Sequence, residues 1–130
     1  MFTINEIKEA HAKVKSGADY PAYVQALIKL GVTGYSTFLY DGHTVYYGEN
    51  NYSVQTLAGT FIREIAAKSE NDTFIACLQL HQQGLTDYPT FCSDAAAAGV
   101  EKWVVDLAAM TCTYYGKAGN KMLEESIPEA

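Results

Sequence analysis

The sequence predicts an α+β fold of two similar units, each with two helices followed by a β-hairpin, in which helices pack on antiparallel sheet. The first observation behind this prediction is an internal match at a displacement of 68 residues, as between Asp19 and Asp87 (87 − 19 = 68). The second is a change from helical to alternating apolar spacing within each copy. The third is size, since 130 residues with 48% hydrophobic content supply one core that both copies must share. The best-matched segments are Asp19-Tyr20-Pro21 with Asp87-Tyr88-Pro89, Gly31-Val32 with Gly99-Val100, and Tyr46-Tyr47-Gly48 with Tyr114-Tyr115-Gly116.

We expect a single domain over residues 1–130, with pseudo-repeats at about 3–57 and 71–125. The apolar residues between the copies have the spacing of one helical face, which predicts a linker helix at about 60–68 with no counterpart after the second copy. These residues are Phe61, Ile62, Ile65 and Ala66.

The first copy opens with two predicted helices. A capping box, formed by Thr3 and the glutamate three residues later, starts a helix over 3–15, and Ser16-Gly17 ends it. Asp19-Tyr20-Pro21 starts the next helix, because proline fits a first turn where its missing N–H would be unpaired anyway. Gly31 ends that helix.

The strands follow in the same copy. Thr33 to Tyr40 and His43 to Gly48 flank Asp41-Gly42, a strong hairpin signal, and a third strand is expected over Tyr52 to Leu57. The second copy repeats this order. Its helices are expected to begin at Asn71 or Asp72 and at Asp87 and to end at Gly84 and Gly99, and its strands to cover Glu101 to Leu107, Met110 to Tyr115 and Lys121 to Glu125.

Strand pairing decides which side chains face the core. A two-residue Asp41-Gly42 loop would place Leu39 opposite Thr44 and Thr37 opposite Tyr46. Tyr46 and its repeat mate then face the core.

The same alternation leaves an aromatic set on the opposite face. Because water tolerates such a set poorly, we expect the linker helix, the other half or a second subunit to cover it, and we expect homo-oligomers or an unknown protein partner. The interface candidates are Tyr47, Tyr115, Phe38 and Tyr40, with Val45 and Val104 on the same face.

Charge and composition exclude several classes. The net charge is −6, of which the first 68 residues contribute 6 − 6 = 0 and the rest 3 − 9 = −6. No basic stripe is available for phosphates, so we expect no nucleic-acid partner. The chain begins without a signal-peptide pattern, lacks an apolar run of ~20 residues and has three cysteines, all of which favour a cytoplasmic protein with reduced thiols and no membrane partner.

The richest stretch chemically runs from His81 to Cys92. His81 and Cys92 replace Lys13 and Val24 of the first copy, and with Asp87 they are the parts of a thiol nucleophile. The ordinary structural explanation is that His81 bonds near a helix end, Asp87 caps the next helix and Cys92 fills core. If the cluster is a site, its ligand-binding candidates are Gln83, Tyr88 and Cys112.

A zinc set is the other chemistry considered. Cys77 and His81 lie four residues apart on a helix, and Cys92 and Cys112 could complete a Cys₃His set. No Cys-x-x-Cys pair supports it, and we expect no metal and no cofactor.

Two classes of function remain. One is a non-enzymatic accessory or interaction protein that self-associates through the outer aromatic face. The other is a small enzyme or small-molecule binder centred on His81, Asp87 and Cys92. We favour the first, because no motif assembles a catalytic mechanism.

Four segments also carry a family resemblance. They are Lys15 to Pro21, His81 to Cys92, Gly99 to Asp106 and Met110 to Tyr115. They resemble the YdfO-like family of bacterial and prophage-associated proteins of unknown function, sometimes labelled phage envelope proteins. The resemblance covers nearly the whole chain and implies a small α+β fold of about this length, and it supplies no catalytic or binding residues.

Overall fold

The computed structural model describes residues 1–14, 19–59 and 62–127. Within them the order helix-helix-strand-strand-strand occurs twice, which confirms the α+β prediction. The helices are α1 (Ile4–His11), α2 (Tyr20–Leu30), α3 (Asn71–Gln82) and α4 (Tyr88–Ala97). The strands are β1 (Gly34–Phe38), β2 (Thr44–Tyr47), β3 (Ser53–Gln55), β4 (Val100–Asp106), β5 (Thr111–Gly116) and β6 (Lys121–Ser126).

The strands form one antiparallel sheet in the order β3-β2-β1-β4-β5-β6, so the two halves join at β1 and β4. At this junction Ser36 pairs with Val104, and these residues are 68 apart (104 − 36 = 68). Tyr35 pairs with Val105 while Thr37 pairs with Trp103. A displacement of 68 residues therefore exchanges the two strands without changing their register. The internal duplication itself stays a prediction, which a superposition of the halves would test.

The helix starts follow the predicted caps. The Thr3 hydroxyl accepts a hydrogen bond from the Glu6 N–H at 3.2 Å, and Glu6 Oε1 accepts one from the Thr3 N–H at 3.0 Å. Asp87 accepts from the Thr90 N–H at 2.8 Å at the start of α4, whereas Asp19 makes no side-chain cap bond at the start of α2. Helix α1 ends at His11, before the predicted end, and the predicted stop at residues 16–17 lies outside the described residues.

The helices pack on one face of the sheet. From α2, the Tyr20 hydroxyl lies 2.6 Å from the Tyr35 hydroxyl of β1. Helix α3 reaches β5 through Phe74, whose ring centroid lies 4.8 Å from that of Tyr114, and α4 reaches β4 through Phe91. Since α1 packs on α2, the core lies between this helical layer and one sheet face. We call the opposite side the outer face.

The first hairpin differs from its prediction. Thr37 pairs with Thr44, so the register is two residues away from that of a two-residue loop. The reason is that the Asp41 side chain accepts from the His43 N–H at 3.0 Å and widens the turn, while Leu39 inserts into the core and is fully buried. Because the shift is even, Tyr46 still faces the core as predicted.

The predicted linker helix is wrong for the described part of the segment. Residues 62–68 contain no helix, and Phe61 lies outside the described residues. Backbone N–H groups of this segment bond to distant carbonyls instead, as Arg63 does to Tyr40 at 2.7 Å and Ala66 to Ala96 at 3.0 Å. These bonds take the donors that a helix would need.

Candidate functional site

The outer face of the sheet carries no helix among the described residues. Its side chains lie in three rows across the strands, because directly paired residues point to the same side. The upper row is Phe38, Lys102, Tyr115 and Lys121, the middle row is Gln55, Val45, Ser36, Val104, Thr113 and Glu124, and the lower row is Ser53, Tyr47, Gly34, Asp106, Thr111 and Ser126.

The predicted interface residues lie on or beside this face. Tyr47 is 39% exposed, and Phe38 and Tyr115 are half-buried. Tyr40 is 46% exposed in the loop that follows β1. The described part of the linker bonds to the loop after β1 and to α4, through Arg63 to Tyr40 and Ala66 to Ala96.

The upper row is aromatic and cationic. The Lys102 ammonium lies 5.7 Å from the ring centroid of Phe38 and 5.7 Å from that of Tyr115. Each contact of this kind contributes ~0.5–1 kcal/mol at an exposed site. The two rings therefore hold one positive charge at the centre of the row.

The lower row combines an acid with a glycine that lets two strands approach closely. Gly34 lies between Tyr47 and Asp106, and a Cβ at residue 34 would lie 2.6 Å from the Val105 carbonyl oxygen. Asp106 uses one carboxylate oxygen, Oδ1, to accept from the N–H groups of Ala108 and Ala109 at 2.9 and 3.0 Å. One end of the outer face thus carries the charge of Lys102, and the other carries the charge of Asp106.

A histidine–carboxylate pair, which the sequence reasoning missed, adjoins the upper row. His43 Nδ1 lies 2.6 Å from Asp41 Oδ1, and the His43 ring stacks on Phe38 at 4.6 Å. Burial alone raises the pKa of Asp41, but hydrogen bonds from His43 and Tyr40 outweigh it, so the pKa is lowered overall. The available signal was an Asp two residues before a His in a turn. The matching second-copy residues are Ala109 and Thr111 (41 + 68 = 109; 43 + 68 = 111), so this pair has no counterpart.

The thiol candidates each have a different partner. The His81 ring stacks on Phe91 at 4.5 Å, and its Nδ1 lies 3.1 Å from the Thr86 carbonyl oxygen. Asp87 is exposed, and hydrogen bonds from Thr90 lower its pKa. Cys92 is buried, and burial raises the pKa of its thiol. This geometry matches the ordinary structural explanation, while the catalytic role stays a prediction.

The ligand-binding candidates are likewise spread out. Gln83 is exposed at the end of α3. Tyr88 is 53% exposed, but its hydroxyl forms a hydrogen bond with the Cys92 thiol. Burial raises the pKa of Cys112 to about 12 and also raises the pKa of Cys77. Thiols of this kind are protonated near neutral pH.

The described residues offer no metal site, and the cavity at α1 and α2 does not favour a particular ligand. No group of three His, Cys, Asp or Glu side chains in the described part of the chain could hold a metal ion. A cavity of ≈ 250 Å³ lies at α1 and α2, lined by Glu6, Lys13 and Lys29 among others. Its mixed charges select no ligand.

Fold and surface together define a small α+β protein with a helical layer on one side of a six-stranded sheet and, on the other, an aromatic face that no helix of the described residues covers. The chain belongs to the family described as protein of unknown function (DUF1398), whose model matches residues 8–126. No curated protein matches the chain. No helix in the described ranges has the length and apolarity needed to cross a membrane.

Proposed function

We propose that this protein is a non-enzymatic interaction protein that self-associates through the outer face of its sheet. The carrying observation is the upper row, where two aromatic rings flank one lysine on a face that no described helix covers. Aromatic side chains such as Phe38 and Tyr115 are enriched at the centres of protein interfaces, and their half-exposure leaves apolar area to bury.

The size of the face supports the same proposal. Six strands ~4.8 Å apart, with about five residues of ~3.3 Å each, give a projected area of about 480 Å². The accessible area of protruding side chains is larger than their projected area. The accessible area of the face is therefore closer to the ~800 Å² that each partner buries in a standard interface. An association of this size should be concentration-dependent.

The proposal also includes a finer family and location. We place the chain with the YdfO-like, prophage-associated proteins on the long segments from His81 to Cys92 and from Gly99 to Asp106. A cytoplasmic location is supported by three free cysteines, none of them paired. The acidic second half supports protein partners over nucleic acid.

Sedimentation of the wild type and of Tyr47→Ser tests the proposal. We expect the wild type to shift from monomer to dimer between about 1 µM and about 1 mM, and the variant to stay monomeric to higher concentration. Leu85→Ser is the matched control, because Leu85 is 67% exposed in the loop between α3 and α4, on the helical side. A wild type that stays monomeric throughout this range would remove the proposal.

A further inference from the structure

We infer that the partner on the outer face is a second copy of this chain, docked so that the upper row of each copy lies on the lower row of the other. This inference rests on the proposed self-association and adds its geometry. It follows from the unlike ends of the face, where Lys102 lies at one end of β4 and Asp106 at the other.

The arrangement needs a twofold axis in the plane of the sheet, along the middle row. Lys102 and Asp106 lie two residues on either side of Val104, so each is ~7 Å from that axis. Rotation about it turns one face onto the other and brings Lys102 of each copy over Asp106 of the second copy. Two opposite-charge pairs form, one on each side of the axis. Glu124 lies on the axis itself, where it is paired with Lys121 of its own copy at 3.5 Å.

Shape follows the same axis. Phe38 lies two residues above the middle row, and Gly34 lies two residues below it on the same strand. The rotation therefore places each Phe38 ring over Gly34 of the second copy, which has no side chain. Packed sheets are ~10 Å apart and interdigitate in this way, with large side chains opposite small ones.

The rival arrangement is disfavoured by charge. A twofold axis parallel to the strands, between β1 and β4, would stack the upper row on the upper row of the second copy. That geometry gathers two Lys102 ammonium groups at one end and two Asp106 carboxylates at the other, and like charges at an interface oppose association.

Charge reversal distinguishes the two arrangements. Lys102→Glu and Asp106→Lys, each alone, should raise the dimer dissociation constant about tenfold or more, because each creates two like-charge pairs. An equimolar mixture of these two variants should dimerise again, since both contacts between positions 102 and 106 become attractive. The single reversals carry the distinction, because the rival arrangement places like charges together both before and after either change. Lys117→Glu, in the exposed turn after β5, is the matched control and should leave the dimer unchanged.

Asp106→Asn guards against a folding defect, because the amide oxygen can still accept from Ala108 and Ala109 while the charge is removed. It should weaken the dimer several-fold with an unchanged circular dichroism spectrum. If the single charge reversals leave the dimer intact while Tyr47→Ser dissociates it, this docking geometry is wrong. The proposed self-association through the outer face would then still hold. A wild type that never dimerises would overturn both.

Discussion

The two hairpins agree more closely on the core side of the sheet than on the outer side. Leu39 and Leu107 are both buried, as are Tyr46 and Tyr114, and each pair is separated by 68 residues. On the outer face Tyr47 still matches Tyr115, but Phe38 corresponds to Asp106 and Gly34 to Lys102 (38 + 68 = 106; 34 + 68 = 102). Packing against the helical layer constrains the side chains on the core side. The outer-face positions lack this constraint, so the two halves of the sheet can differ there in charge and in side-chain size.

The largest effect should come from the core side of this comparison. Phe74 is fully buried against Tyr114 and Phe91, so Phe74→Ala should lower the free energy of unfolding by about 3–5 kcal/mol. Urea denaturation measures this loss. The matched change on the outer face, Phe38→Ala, should cost clearly less because that ring is only half-buried. Equal losses would contradict the distinction between the two faces.

Gly34 tests how closely β1 and β4 approach each other. A methyl group at this position would lie 2.6 Å from the Val105 carbonyl oxygen, so Gly34→Ala should destabilise the fold by about 1–3 kcal/mol. Thermal denaturation of the variant beside Ser36→Ala, on the same strand and face, gives the comparison. A Gly34→Ala protein as stable as wild type would show that the strands separate easily there, and would weaken the shape argument for docking.

The Asp41–His43 pair, which only the first hairpin has, predicts a pH dependence. The pKa of Asp41 is lowered in the folded state, so its stabilisation is present above the unfolded pKa of ~3.9 and is lost as the pH falls through the folded value. Asp41→Asn keeps an acceptor for the His43 N–H but loses the charge, and should cost about 1 kcal/mol at neutral pH.

That cost should shrink toward zero in acid, which urea denaturation at a series of pH values would reveal. His43→Gln is the companion variant, because it removes the imidazole and leaves the carboxylate. A constant difference between wild type and Asp41→Asn at every pH would argue that the charge of Asp41 contributes nothing.

Much of the fold follows from local sequence signals. Caps such as Thr3 and Asp87, prolines in first turns and period-two strands are decided by neighbouring residues, so element order and type could be predicted. The loop length was predicted wrongly, but Tyr46 still faces the core as predicted. The reason is that a register shift of two residues, being even, leaves each side chain on the same face of the sheet. The linker could not be predicted, since its N–H groups bond to carbonyls far away in the chain, such as that of Ala96.

The candidate site divides in the same way. The aromatic members of the outer face, Tyr47 and Tyr115, follow from alternation within single strands. Lys102 joins them only through the pairing of β4 with β1 and β5, which is a non-local contact. The separate partners of His81 and Cys92 likewise depend on tertiary packing, so sequence alone left both explanations open.

The smallest expected effect concerns Cys92, where the enzyme alternative predicts a reactive thiol. Burial raises the pKa of this thiol, and the hydrogen bond with Tyr88 and the charge of Arg63 offset that rise only in part. Because the thiolate is the nucleophile, iodoacetamide near neutral pH should label Cys92 no faster than a buried thiol, with a rate that rises with pH. Trypsin leaves Cys77 and Cys92 together in the peptide 69–102, so fragmentation of that peptide by tandem mass spectrometry would assign the label, with Cys77 and Cys112 as internal references.

His81→Gln should leave the rate unchanged, since the imidazole stacks on Phe91 instead of activating the thiol. Fast labelling of Cys92 that this substitution slows would favour the enzyme alternative and count against an interaction protein without chemistry.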